Sequence, residues 1–129
     1  FPDVGENIAL EVLVNKTLPQ NLVIRLYSNN ITPSDTDVTA TYTEATFAGY
    51  SSQTLTGANW NAASSGSITY GSQLTFTRTS TGATESIYGY FVTQASSGIL
   101  VYSERDASAP FSITNNTDQL RITPVITAN

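Results

Sequence analysis

The feature that most constrains the fold is a regular alternation of short apolar stretches with clusters of turn-forming residues. Stretches rich in Val, Ile, Tyr, Phe and Thr recur about every 8–12 residues, and Gly, Asn, Ser and Pro separate them. This spacing is typical of all-β sandwiches and barrels. We therefore predict a mainly β fold, either a single-domain antiparallel β-sandwich or a jelly-roll-like arrangement.

Alternation with a period of two locates the individual strands. In Leu22–Tyr27, the side chains of Leu22, Ile24 and Leu26 would share one face, because successive side chains of a strand point to opposite faces. Residues 95–98 predict a hairpin loop in which Gly98 supplies a positive φ. Further strands are predicted at residues 67–70, 73–79, 84–94, 99–104 and 118–126.

The N-terminal segment, residues 1–20, fits two alternatives, of which the first is a short helix. Asp3 and Glu6 have the spacing of a capping box, and residues 17–19 would end the helix. Three apolar side chains would then share a helical face: Val4, Ile8 and Val12.

The second alternative is a strand over residues 8–14 that is exchanged into the sheet of a neighbouring copy. Its β-branched content favours this conformation. Four side chains would then share one face and anchor the contact: Ile8, Leu10, Val12 and Val14. With either alternative, we interpret residues 1–20 as an assembly arm ahead of a β-sandwich domain at residues 21–129.

Composition excludes several classes of function. The 129 residues include no His, Cys or Met, which excludes thiol nucleophiles, zinc–thiolate sites and His-based triads. Five basic residues against ten acidic ones argue against nucleic-acid binding. No apolar run approaches the roughly 20 residues of a membrane span. We therefore predict no enzymatic activity, no cofactor, no metal and no membrane span.

Phe1 in place of an initiator Met fits either a removed leader or a shortened chain.

Carboxylates offer the remaining route to catalysis or metal binding. Asp35 and Asp37 are separated by one residue, as are Glu104 and Asp106. Paired carboxylates can act as acid and base on a glycosidic bond, and carboxylates also bind Ca²⁺. Both pairs fall in or beside loops, where solvated carboxylates are the more frequent case, so we interpret them as surface residues.

Three N-x-[ST] sequons begin at Asn15, Asn30 and Asn115, each in a predicted turn or at the end of an element. They are candidate glycosylation sites, because a glycan there would project from the surface.

Four aromatic residues are candidates for stacking on sugar rings: Trp60, Tyr50, Tyr88 and Tyr90. Tyr88 and Tyr90 would lie on one face of a strand, which is equally the arrangement of side chains that pack across a sheet.

Several motifs resemble those of one protein family. They are PDVGE at residues 2–6, LYSNNITP at 26–33, YTEATFAGY at 42–50 and IYGYFVT at 87–93. In this order they resemble a family of short uncharacterised proteins encoded among the structural genes of tailed bacteriophages and environmental viruses. The resemblance spans almost the whole chain and implies a structural protein of a virion or an appendage.

These observations together predict a non-enzymatic structural subunit that assembles with copies of itself. Charged residues make up 12% of the chain, about half the usual share of roughly 25%. Few charges leave strand edges poorly protected against the addition of another strand. We expect an extracellular or virion-associated filament, in which the three sequons are candidate sites for covalent glycan. The alternative is a glycan-binding decoration or adhesion module of a virion or cell surface.

Overall fold

The mainly β, antiparallel, sandwich-like fold predicted from the sequence is confirmed by a computed structural model, which describes residues 1–128. Besides two short 3₁₀ helices, Thr39–Thr41 and Gly57–Asn59, one α-helix and ten strands form within these residues. They are α1 (Asp3–Leu13), β1 (Leu22–Tyr27), β2 (Gln53–Leu55), β3 (Ser67–Thr69), β4 (Leu74–Thr77), β5 (Glu85–Ile87), β6 (Gly89–Gln94), β7 (Leu100–Arg105), β8 (Phe111–Ile113), β9 (Gln119–Ile122) and β10 (Val125–Thr127).

One layer of the sandwich is a four-stranded antiparallel sheet in the order β2-β1-β6-β7. In the register of β1 on β6, Leu22 lies opposite Gln94 and Tyr27 lies opposite Gly89. The loop between β6 and β7 is the predicted hairpin, and Gly98 within it has a φ of 71°. β6 is buried along its whole length because both faces of this sheet are covered.

The second layer consists of three two-stranded antiparallel ladders, β4–β9, β5–β8 and β3–β10. The main core lies between the layers. The four-stranded sheet contributes Ile24, Leu26, Leu55, Tyr90 and Val92, and the ladders contribute Phe76, Ile87, Ile113 and Leu120. Because Ile24 and Leu26 alternate with residues on the other face, the predicted alternation of β1 is confirmed.

A smaller core covers the opposite face of the four-stranded sheet. Tyr27, Phe91 and Leu100 of the sheet pack there against Tyr42, which comes from the long connection between β1 and β2. The rings of Tyr42 and Phe91 stack with centroids 5.1 Å apart. Val4 of α1 joins this cluster, so the helix belongs to the outer face of the sheet and not to the main core.

Two predicted strands are each divided in the structure. Residues 84–94 form β5 and β6, which pair with different sheets on either side of Tyr88. Residues 118–126 form β9, which ends at Ile122, and β10, which begins after Pro124. In both cases the chain leaves one ladder and joins another, and a sequence pattern of period two does not register that change of partner.

The N-terminal segment forms the helical alternative, and the strand over residues 8–14 does not form. The predicted capping box is wrong, because Pro2 is the N-cap and no side chain caps the helix. Instead, the backbone N–H groups of Gly5 and Glu6 donate to the Pro2 carbonyl. Asp3 and Glu6 still favour the helix, since both acidic side chains lie in its first turn, near the positive end of the helix dipole.

The helix ends at Leu13, before the predicted boundary at residues 17–19. Asn15 has a φ of 61° and donates its N–H to the Val12 carbonyl, while Lys16 N–H donates to the Glu11 carbonyl at 2.8 Å. These two bonds are those of a Schellman motif, in which a left-handed residue closes the last turn. Asn tolerates that conformation better than most residues with a Cβ.

No helix within residues 1–128 is long and apolar enough to cross a membrane.

Candidate assembly surface

The N-terminal segment carries most of the large apolar side chains that the protein exposes. Leu10, Leu13, Val14 and Leu18 are 59%, 78%, 71% and 78% exposed, respectively. Within residues 1–128, only Val38 and Ile99 join them as exposed large hydrophobic residues. Isolated apolar side chains are normal on a protein surface, whereas a contiguous patch marks an interaction site. We call these four residues the arm surface.

The helix separates the four predicted anchors into two pairs. Ile8 and Val12 are one turn apart on the side that faces the sheet, and both are half-buried. Leu10 and Val14 are also one turn apart, but they point to solvent as part of the arm surface. Leu13 is near the apolar face of the proposed helix, but neither Leu13 nor Leu18 falls on the apolar face of the proposed strand.

An apolar groove of about 480 Å³ runs beside the arm surface, between α1 and the four-stranded sheet. Its helix side is formed by Ile8, Val12 and Leu13. Its opposite side is formed by Leu22, Leu55 and Trp60. We call this recess the arm groove. Leu13 therefore belongs both to the arm surface and to the wall of the arm groove.

Close backbone packing holds α1 against β7. A Cβ atom built on Gly5 would lie 2.1 Å from the Val101 carbonyl oxygen, so only glycine permits this approach. Asp3 N–H donates to the Asp35 carbonyl at 2.9 Å, and the Phe1 ring packs edge-on against Tyr102 with centroids 6.1 Å apart. These contacts fix the first half of the helix and leave the second half to present the arm surface.

The connection from α1 to β1 is exposed at every residue from 15 to 21. Its end is tied to the β6–β7 loop by the side chain of Gln20, which accepts from Ser96 N–H at 2.9 Å, and by the Asn21 carbonyl, which accepts from Ala95 N–H. Leu18 thus projects from a segment that is anchored at both ends.

A second cavity, of about 190 Å³, lies between the end of the four-stranded sheet and the second layer. Its walls include Phe111, Leu120 and Ile122, and its polar groups include Glu104 and Asp106. The buried Tyr90 hydroxyl donates to Glu104 Oε2 at 2.8 Å. Burial, followed by this bond to a carboxylate, raises the pKa of Tyr90 well above its ordinary value. We call this recess the far cavity.

The four aromatic candidates do not form one platform. Tyr50 and Trp60 pack against the main core and Tyr90 belongs to it, whereas Tyr88 packs against the smaller core on the other face of the sheet. The expectation that Tyr88 and Tyr90 share a face is therefore wrong, because the chain changes ladders between them. Trp60 packs edge-on against Tyr70, and Tyr88 lies under the guanidinium of Arg105, 5.1 Å from ring centroid to Cζ.

Three of the four paired carboxylates accept hydrogen bonds from nearby groups: Asp37, Glu104 and Asp106. Asp37 is buried and accepts from the Tyr42 hydroxyl at 2.7 Å and from Ser34 N–H at 2.9 Å. Burial and the bond to this carboxylate raise the pKa of Tyr42, against the opposing effect of the nearby Ser103 hydroxyl. Asp106 accepts from Ser108 N–H. Within residues 1–128, no group of three or more potential metal-ligating side chains comes together.

All three sequon asparagines are exposed. Asn15 is the residue with left-handed backbone that follows α1, and Asn115 lies in the turn between β8 and β9. The Asn30 side-chain oxygen accepts from Arg105 at 2.8 Å, which leaves the amide nitrogen, the atom that carries an N-linked glycan, outside this bond.

Two buried or partly buried charge networks have partners that the sequence does not predict. Glu44 forms an ion pair with Arg25 at 3.1 Å and accepts from the Tyr50 hydroxyl at 2.6 Å. Burial and that hydrogen bond raise the pKa of Tyr50. Arg78 is buried and donates to three backbone carbonyls, those of Ser80, Ala83 and Ile113. Each network joins residues distant in sequence, and no local pattern predicts that.

No protein-family model matches this chain, and no curated protein sequence matches it significantly.

Proposed function

We propose that this protein is a non-enzymatic structural subunit that assembles with copies of itself, through its N-terminal segment, into an extracellular or virion-associated filament. The observation that carries the proposal is the arm surface: four of the six exposed large apolar side chains within residues 1–128 lie between Leu10 and Leu18. A patch of this kind is a liability in an isolated monomer and a useful contact in an assembly.

A second copy is the occupant that the chemistry of the surface favours. The surface is apolar and nearly uncharged, so it would be covered by another apolar surface, and a second copy can supply one away from its own N-terminal segment. The contact also avoids most of the acidic groups that give the chain its net charge of −5. Between residues 7 and 21 the only charged residues are Glu11 and Lys16, whose opposite signs cancel.

The expected strength of the contact determines how it should be measured. Full burial of a leucine or valine side chain contributes about 1.5–3 kcal/mol. Four such residues together are comparable to the roughly 4–15 kcal/mol that association costs in lost freedom of motion. We therefore expect assembly to depend steeply on subunit concentration.

Replacing the most exposed leucines tests the proposal without disturbing the core. Leu13→Asp with Leu18→Asp places two charges in the arm surface, and both side chains are already mostly in water. Negative-stain electron microscopy and sedimentation velocity should show filaments of the parent protein and only monomers of this variant.

The matched control is Val38→Asp with Ile99→Asp, which adds the same charge at apolar side chains that are 46% and 45% exposed outside the segment. The control should assemble like the parent protein. Filaments formed by the Leu13 and Leu18 variant at the parent concentration would refute the proposal. A parent protein that stays discrete and is retained on a glycan column would favour the alternative, a glycan-binding decoration or adhesion module.

A further inference from the structure

The arm surface and the far cavity lie at opposite ends of the four-stranded sheet. The arm groove reaches the end defined by Leu22 and Gln94, which pair with each other. The far cavity contains Gly89, which pairs with Tyr27 at the other end of the same two strands. Six residues at a rise of about 3.3 Å separate the two ends by about 17 Å.

The lining of the far cavity includes both acidic and apolar side chains. Glu104 and Asp106 supply two carboxylates, with Arg121 as the one cation among the lining residues. Phe111, Leu120 and Ile122 supply the apolar wall. Its volume of about 190 Å³ is below the roughly 300–1,000 Å³ of sites for drug-sized ligands, so it is suited to a single side chain.

Lys16 is the complementary group. It is the only lysine of the chain, it is exposed, and it lies within the segment that carries the arm surface. Within residues 1–128 the only ion pair is Arg25–Glu44, so Lys16 pairs with no carboxylate of those residues. A lysine has an aliphatic stem and a charged head, which suit a cavity lined by both apolar and acidic side chains.

We infer that the far cavity of one copy receives Lys16 of the next copy; this inference rests on the proposed self-assembly and names its receiving site. The arm surface supplies the apolar contact, and the ammonium group lies against Glu104 and Asp106. Because the donating and receiving sites are at opposite ends of the sheet, the contact is head-to-tail. A head-to-tail contact whose rotation does not close produces an open filament.

Charge reversal across the contact tests this assignment in the full chain. Lys16→Glu alone and Asp106→Lys alone should each raise the critical concentration for assembly about tenfold, since like charges then meet in a partly desolvated site. Lys16→Glu combined with Asp106→Lys should return it to within about threefold of the parent value. Circular dichroism and thermal unfolding establish that each variant is folded.

A second double variant controls for net charge. Lys16→Glu with Asp35→Lys has the same net charge as the parent protein, but it places the new lysine at an exposed residue outside the far cavity. It should assemble as poorly as Lys16→Glu alone. Equal rescue by both double variants, no rescue by either, or normal assembly of Lys16→Glu would overturn the assignment and leave self-assembly standing. A parent protein that never assembles would remove the proposed function and the assignment together.

Discussion

The contact between Gly5 and Val101 gives a quantitative test of how α1 is held. In Gly5→Ala, the new Cβ atom would lie 2.1 Å from the Val101 carbonyl oxygen, against 3.4 Å or more for an ordinary contact. The helix must therefore withdraw by about 1 Å or more from β7. Overpacking of this kind costs about 1–3 kcal/mol, and the better helix propensity of alanine recovers about 0.8–1 kcal/mol. A distance this short calls for the upper half of that cost, so we expect a net loss of about 1–2 kcal/mol in the free energy of unfolding.

Urea unfolding followed by circular dichroism measures this loss. The matched control is Asn7→Ala in the same helix, where the side chain is exposed and the substitution changes propensity alone. Asn7→Ala should be neutral or stabilising by a few tenths of a kcal/mol. A Gly5→Ala variant as stable as Asn7→Ala would refute the reasoning, because it would show that the helix does not approach the sheet as closely as described.

Three ionisable groups give further predictions. Arg78→Met leaves three carbonyls without their donor and should lower the free energy of unfolding, measured in urea, by about 2–4 kcal/mol. Arg25→Met should lower it by less, because the ion pair of Arg25 is partly exposed, and equal losses would contradict this reasoning. Burial raises the pKa of Tyr27 from 10.0 to about 12. The stability that this shift contributes is therefore present below pH 10 and is lost as the pH rises toward 12. Tyr27→Phe should make this loss of stability with pH smaller. Backbone N–H groups lower the pKa of Asp118, so its contribution is present above about pH 4 and lost in acid, and Asp118→Asn should weaken the acid dependence of unfolding.

The strands were the most predictable part of the fold, because apolar and polar residues alternate along a half-buried strand. Leu22–Tyr27 has the same bounds in the prediction and in the structure, and its alternation separates the two cores. The breaks near Tyr88 and Pro124 were not predicted, because they reflect a change of pairing partner. That change depends on residues far along the chain.

The N-terminal segment could not be assigned from its sequence because its apolar residues satisfy both periods. Ile8, Leu10, Val12 and Val14 alternate as in a strand, while Val4, Ile8 and Val12 recur as in a helix. Tertiary contacts decide between the two: Val4 packs into the smaller core, and Gly5 lets the helix approach β7. The arm surface follows from that choice, since only the helix exposes Leu10 and Val14 while it half-buries the other two predicted anchors.

Self-assembly is most directly tested by sedimentation velocity of the parent protein over a wide range of concentrations, with electron microscopy of the most concentrated sample. We predict a monomer at low concentration and, above a critical concentration, filaments of indefinite length. A single monomeric species at every concentration would contradict the account.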